Sequence, residues 1–437
     1  MMKALSIILF CLGLISMSNL MAQRFTPNYN EARVPHYVLP PLLKFENGES
    51  VETQEDWKKR RQEIYELFER YVYGKAPLWE GTITSTVLYQ NPDVLDGLAT
   101  LQEVKLTLAF QGRSQDINVL IYLPKNQEKT PVFLGYNFYG NHTTTNDPGV
   151  RVTTSWTQNN ATFGITNNTA TEASRGLNGH RWPAKEIISR GYGLVTVYYS
   201  DVDPDYHDGF KNGVHKLMGT RHNRRSWGSI AAWAWGLSRV MDFLETYEAI
   251  DASKVAVLGH SRLGKAALWA GVSDERFAMV ISNNSGCGGA ALSRRQYGET
   301  VGRITSKFPH WFAGNFKKYK KREHRLPVDQ HQLLAMVAPR PLYVASAHDD
   351  RWADPKGEFL SSVHASDIYE FLGLQGLPIR EMPDLNQPIM DGMIAYHIRT
   401  GRHDITLYDW LQYLEFADKH FRKKQESSHL ILPLQYQ

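Results

Sequence analysis

The sequence predicts an α/β-hydrolase fold, a three-layer αβα sandwich built on a mostly parallel central sheet. Three observations predict it. Short apolar runs alternate with helical segments, as in parallel strands joined by right-handed crossovers. One such run, Lys254–Leu258, enters the turn Gly259-His-Ser261 and leaves it as a small-residue helix, which reads as a nucleophile elbow. An acidic segment and a histidine-bearing segment then follow in the chain order Ser, Asp, His, the order this fold uses.

The elements follow in order along the chain. Residues 1–22 have a basic start, an apolar core and Ala22 before Gln23, and read as a secretory signal peptide cleaved after Ala22, directing the protein to the periplasm or outside the cell. No run approaches the roughly 20 apolar residues of a lasting membrane span. Cys11 lies in the leader without a convincing lipobox. Residues 23–437 read as a single catalytic domain. The first part, to about residue 52, is Pro- and polar-rich and is expected to wrap the domain. Trp57–Tyr73 carries Ile64, Leu67, Phe68 and Tyr71 at helical spacing. Leu101–Phe110 and Asp116–Tyr122 alternate as an antiparallel edge hairpin does. Pro131–Tyr136, Gly193–Tyr199, Lys254–Leu258, Ala278–Ser282 and Pro341–Ala347 read as the parallel strands. Residues 141–178, rich in Thr, Asn and Gly, read as an ordered loop near the cleft, since structureless loops of that length are usually functional or disordered. Trp227–Tyr247 reads as a core helix. Residues 396–404 read as a polar loop before an amphipathic stretch from Asp409 to Phe421.

Composition excludes several function classes. The 437 residues carry 49 Lys+Arg against 45 Asp+Glu, a net charge of +4 with no long basic block. The one basic cluster, Lys317–Arg325, reads as a solvated segment; without an aromatic-interleaved platform it does not indicate nucleic-acid binding. Removal of the leader takes Cys11 and leaves Cys287 alone, so no intrachain disulfide is expected, and Cys287 reads as a buried inert thiol. The histidines show no metal-ligand spacing, and neither metal nor cofactor is expected. No coiled-coil seam is evident, and a monomer is expected.

Ser261 is the predicted nucleophile. The second glycine of the usual G-x-S-x-G pattern falls one residue late, at Gly264, with Leu263 in its place. Asp350 is the predicted acid, with the division of labour between it and Asp349 left open. His403 in the Gly401–Asp404 turn is the predicted base, and His397 a structural neighbour.

Beyond the elbow, the chain carries Tyr136–His142, Arg190–Gly193, Asp201–Asp205, Gly259–Lys265, Asn283–Gly289, Phe308–Phe312, Trp352–Glu358 and Gly401–Asp404. In these blocks and their order it resembles the glucuronoyl esterases, carbohydrate esterase family 15, of bacterial type. The resemblance implies cleavage of the ester between a 4-O-methyl-glucuronoyl side chain of glucuronoxylan and a lignin alcohol. It implies Ser261 as nucleophile, His403 as base and Arg262 as oxyanion donor, with Lys265, Glu299 and Trp352 holding the sugar. Many members place a glutamate acid where this chain has Asn284, which shifts the acid to Asp350. Without the resemblance, Glu299 reads as a helix-end charge, Lys265 as solvated and Trp352 as a core aromatic. Two other functions remain compatible with the sequence: an acetyl xylan esterase or other carboxylester hydrolase on the same fold, and a non-catalytic uronate-binding protein.

Overall fold

The computed structural model describes residues 25–422 apart from 126, 220 and 221. The expected signal peptide over residues 1–22 lies outside the described residues. Nine strands form one sheet in the order β1-β2-β3-β5-β4-β6-β7-β8-β9. They are β1 (Thr82–Val94), β2 (Ala99–Phe110), β3 (Arg113–Pro124), β4 (Thr130–Asn137), β5 (Gly193–Tyr198), β6 (Ile250–His260), β7 (Met279–Asn283), β8 (Leu342–Ala347) and β9 (Ile394–Arg399). The first three run antiparallel to their neighbours, and β5, β4 and β6 to β9 are all parallel. The α/β-hydrolase architecture expected from the sequence is therefore the one observed.

Nine helices accompany the sheet among the described residues: α1 (Gln54–Phe68), α2 (Ala184–Ser189), α3 (Gly213–Met218), α4 (Ser229–Leu244), α5 (Arg262–Ser273), α6 (Val301–Lys307), α7 (Gln330–Ala335), α8 (Pro355–Phe371) and α9 (Leu407–Phe421). The parallel strands are buried on both faces, and alternate side chains enter different cores. Val255 and Val257 of β6 join the core containing α1, α4, α5, α7 and α8, while Ala256 and Leu258 join the core containing α2 and α9. This two-sided burial is why the parallel strands read as continuous apolar runs.

The expected helix Trp57–Tyr73 begins earlier, because Thr53 and Asp56 form a reciprocal capping box. Its last residues, Glu69–Tyr73, widen into a π-helical turn. Gly74 stops it at φ 85°, where a Cβ would lie 2.2 Å from the Ser226 carbonyl oxygen. The hairpin is longer than expected and is preceded by β1, which the sequence did not reveal: β1 is a largely exposed edge strand with no clean apolar alternation. Strand β9 also departs from the expectation. Residues 396–404 were expected to be a loop, yet the parallel sheet continues through Tyr396-His-Ile-Arg399. His397 and Arg399 read as polar but are paired with the buried Asp409 of α9, at 2.9 and 2.8 Å, which offsets the cost of burying them. Residues 141–178 contain three single 3₁₀ turns joined by irregular backbone, with Asn141–Thr144 buried. In the basic cluster, Lys317, Lys318, Lys320 and Lys321 are exposed, as expected of a solvated segment.

The elbow joins β6 to α5 through Ser261, whose backbone sits at φ 59°, ψ −127°, a left-handed conformation costing about 1–3 kcal/mol in a residue with a Cβ. Two glycines make room for it. A Cβ on Gly259 would lie 2.0 Å from the Leu263 carbonyl oxygen, and one on Gly264 2.9 Å from the Gly259 carbonyl oxygen and 3.0 Å from Ser285 Cβ. The late second glycine is thus the one that lets α5 pack against the strand end, while Leu263 points into the core. Gly264→Ala should destabilise the fold by about 1–3 kcal/mol through backbone overpacking. Thermal denaturation checks this: an unchanged midpoint would mean the α5–β6 approach is not tight.

Candidate active site

Four chain segments meet at the C-terminal edge of the sheet. The backbone ladder runs past the strand ends: the Ser261 N–H donates to the Asn283 carbonyl at 2.9 Å, and the Asn284 N–H to the Ala345 carbonyl at 2.7 Å. Farther along, the His348 N–H donates to the Arg399 carbonyl at 2.8 Å and the Asp349 N–H to the Gly401 carbonyl at 3.0 Å. These bonds bring the turns carrying Ser261, Asp350 and His403 side by side.

Asp350 is buried, and its Oδ2 accepts from His403 Nδ1 at 2.5 Å and from Asn284 Nδ2 at 3.2 Å. The neighbouring Asp349 is exposed. The His403 side chain is 41% exposed, so its outer edge is open to a substrate, and its ring lies 4.5 Å from that of His260, the residue before Ser261. His260 is fully enclosed and bonded through Nδ1 to Asn283 Oδ1 at 2.6 Å; burial, then the charge of His403, holds its pKa well below the usual histidine range. His397 is instead buried in β9 between Tyr343 and Asp409. Arg399 braces the histidine turn: its Nη2 donates to the carbonyls of Arg402 and Asp404, the residues flanking His403, at 3.1 and 2.6 Å.

Arg262 follows the serine and is held by residues that sequence reasoning did not single out. One oxygen of the buried Asp205 pairs with Arg262 Nη1, and the other accepts from His310 Nε2 at 2.8 Å and Trp311 Nε1 at 2.7 Å. Burial alone would raise the Asp205 pKa, but the Arg262 charge and these donors outweigh it and lower it to about 2. The guanidinium lies 5.0 Å from the Trp311 ring centroid and 5.6 Å from that of Phe138, with Nε buried and without a hydrogen-bond partner. Asp205, Trp311 and Phe138 fall within the sequence blocks quoted above, but no local periodicity distinguishes them.

Lys265 lies one helical turn from Ser261. It is buried, not solvated, and donates from Nζ to the Ser285 carbonyl; burial pulls its pKa down, while the charge of Glu299 opposes this. Glu299 is raised by burial and opposed by the charge of Lys265, and a side-chain hydrogen bond from Trp352 favours its ionised form. The Glu299 N–H also donates to the Trp352 carbonyl at 3.0 Å. Trp352 is half-buried and not part of the core. All seven predicted site residues therefore belong to one region built from the elbow, the histidine turn and the loops before α6 and α8. Cys287 is buried with its thiol pushed well up by burial, in line with an inert role.

A serine on a strained elbow beside a histidine–carboxylate pair, on this sheet, defines an α/β-hydrolase. A family model described as "Glucuronyl esterase, fungi" matches residues 184–373. The chain is 47% identical over 398 residues to carbohydrate esterase MZ0003 from an unknown prokaryotic organism, covering 90% of this chain and 92% of that protein. It is 30% identical to the 4-O-methyl-glucuronoyl methylesterase of Schizophyllum commune, covering 77% and 74% of the two chains. A solved glucuronoyl esterase from Solibacter usitatus superposes with a TM-score of 0.83 at 45% identity, covering 89% of this chain and 100% of that one. This chain belongs to the glucuronoyl esterases of carbohydrate esterase family 15, and is a carboxylic ester hydrolase.

Beneath the Asn284 turn lies a further buried carboxyl, Glu358. It accepts from Ser346 Oγ at 2.6 Å and from the Gly286 N–H at 2.9 Å, and burial pushes its pKa up to about 8 despite both bonds. The folded protein therefore holds a proton on Glu358 between the ordinary carboxyl range and about pH 8, where the unfolded chain does not. That contribution to stability is complete below the unfolded value and is lost as pH rises through the folded one. The melting temperature should fall more between pH 5 and 8 in the wild type than in Glu358→Gln. Parallel pH dependence in the two proteins would contradict this.

Proposed function

We propose that this enzyme hydrolyses 4-O-methyl-glucuronate esters linking glucuronoxylan to lignin alcohols, through an acyl-enzyme on Ser261. The observation that carries this reading is the placement of the buried Lys265, with the half-buried Glu299 and Trp352, around the turn of α5 that begins at Ser261. An ammonium donates to sugar hydroxyls, a carboxylate accepts from them, and an indole covers an apolar C–H face. The donors and acceptors of a uronate find matching partners in that set.

The chemistry follows from the arrangement. Asp350 at Nδ1 fixes the His403 tautomer, so Nε2 is the free base. His403 takes the Ser261 proton as Oγ attacks the ester carbonyl, returns it to the leaving alcohol, and then activates water for deacylation. The Arg262 guanidinium, held in place by Asp205, is the side-chain donor we assign to the developing oxyanion. One such fixed donor contributes about 3 kcal/mol to the transition state. After deacylation the product carries a carboxylate beside Arg262, so some product inhibition is expected. Asn284 donates from Nδ2 to Asp350, a role compatible with an acid supplied by the later strand.

The proposal includes export by the leader of residues 1–22, a single catalytic domain over residues 23–437 and action as a monomer. Among the described residues no helix is long and apolar enough to cross a membrane. A broader carboxylester hydrolase is the second reading, favoured by the open edge of His403 and by a relative, 47% identical with a TM-score of 0.85, described as a promiscuous CE15 esterase from a marine bacterial metagenome.

Hydrolysis of benzyl glucuronate beside 4-nitrophenyl acetate separates the readings. The wild type should favour the uronate ester, and Ser261→Ala should lose at least about a thousandfold in kcat on it. Acetate turnover without uronate turnover would favour the broader esterase.

A further inference from the structure

The N-terminal arm, residues 25–33, is tied to both loops that carry the pocket side chains. One loop, residues 295–299, presents Glu299; the other, residues 350–354, presents Trp352. Phe25 meets the Trp352 ring edge-on, with centroids 6.0 Å apart and planes at 85°. The Asn28 carbonyl accepts from the Gly298 N–H at 2.9 Å, one residue before Glu299. Arg351, the residue before Trp352, donates to the Tyr29 carbonyl and, at 3.2 Å, to the Tyr297 hydroxyl. Glu31 bonds Arg295 at 2.7 Å, and Arg295 in turn holds Asp354, which caps α8, at 2.8 Å.

The two loops themselves approach closely. Gly298 sits at φ 59°, and a Cβ there would lie 2.4 Å from the Trp352 carbonyl oxygen. The arm lies across this junction. Its own side chains add little to the core: Phe25 is 38% and Tyr29 37% exposed, and none of residues 25–33 is buried. A strap serving stability alone would bury apolar groups, whereas these contacts concentrate on the segments bearing Glu299 and Trp352.

We infer that the arm is the outer wall of the sugar pocket and a determinant of affinity for the uronate substrate. This rests on the glucuronate reading above. Phe25 is a positioning residue that sets the plane of the Trp352 ring, so that an indole face is presented to the sugar before it binds. The Asn28 carbonyl fixes the backbone entering Glu299, which presets the carboxylate in the same way. Presetting both groups removes an ordering cost that would otherwise weaken binding.

The test uses the full-length protein with Phe25→Ala and Phe25→Tyr, measuring kcat and KM for benzyl glucuronate, with 4-nitrophenyl acetate and the melting temperature as references. Phe25→Ala should raise KM for the uronate ester about fivefold with little change in kcat, the size expected for loss of one edge-on aromatic contact. The ratio of uronate to acetate kcat/KM should fall by the same factor, and Phe25→Tyr, which keeps the ring edge, should restore both. An unchanged uronate KM in Phe25→Ala, or equal losses on both esters together with a lower melting temperature, would overturn the inference. A wild type that cleaves the acetate but not the uronate ester would overturn the glucuronate reading, and the inference with it.

Discussion

The geometry of the site depends on the backbone ladder that continues beyond the ends of β6, β7, β8 and β9. Each of the three turns bearing Ser261, Asp350 and His403 is flexible as a chain segment, and ordering a loop residue costs about 1–2 kcal/mol. Here that cost is offset by main-chain hydrogen bonds that extend the sheet past its strand ends: Ser261 to Asn283, Asn284 to Ala345, His348 to Arg399 and Asp349 to Gly401. The parallel register sets the spacing of the turns, and the side chains inherit it. The strained Ser261 backbone is tolerated for the same reason, because a well-bonded strand and helix on either side over-determine it.

On this frame stand several buried charges, each stabilised by a specific partner. Asp205 offsets the desolvation of Arg262, and His310 and Trp311 complete the coordination of Asp205. Asp409 does the same for Arg399 and His397, with the consequence that the carbonyls around His403 are held by a fixed guanidinium. Lys265 and Glu299 oppose each other's shifts across the pocket. A substrate entering such a site meets donors and acceptors that do not reorganise when charge develops, which is the condition for electrostatic catalysis.

The elbow and the parallel strands were legible in the sequence because both are local: an apolar run, a Gly-x-Ser turn and a small-residue helix are contiguous. The proposed acid and base followed from chain order, and the buried Asp350 bonded to His403, beside an exposed Asp349, favours the first of two adjacent candidates that the sequence left open. The Asp205 clamp was not legible, since its partners lie 57, 105 and 106 residues away and no spacing marks them. Strand β9 was hidden by His397 and Arg399, whose polarity is cancelled only by an aspartate on the following helix. Strand β1, exposed at the sheet edge, had no apolar face to announce it. The role of the arm was equally invisible, because it resides in carbonyl groups and one ring edge, not in a motif.

The central claim is that Asp350 alone supplies the charge behind His403. The most direct measurement compares kcat on a glucuronate ester for Asp350→Asn and Asp349→Asn. Loss of the acid partner in a serine–histidine–aspartate site lowers kcat about 10⁴-fold, so Asp350→Asn should fall on that order. The exposed Asp349 should change the rate by no more than about twofold, as other surface substitutions do. Retained activity in Asp350→Asn, or equal losses in the two variants, would contradict the account.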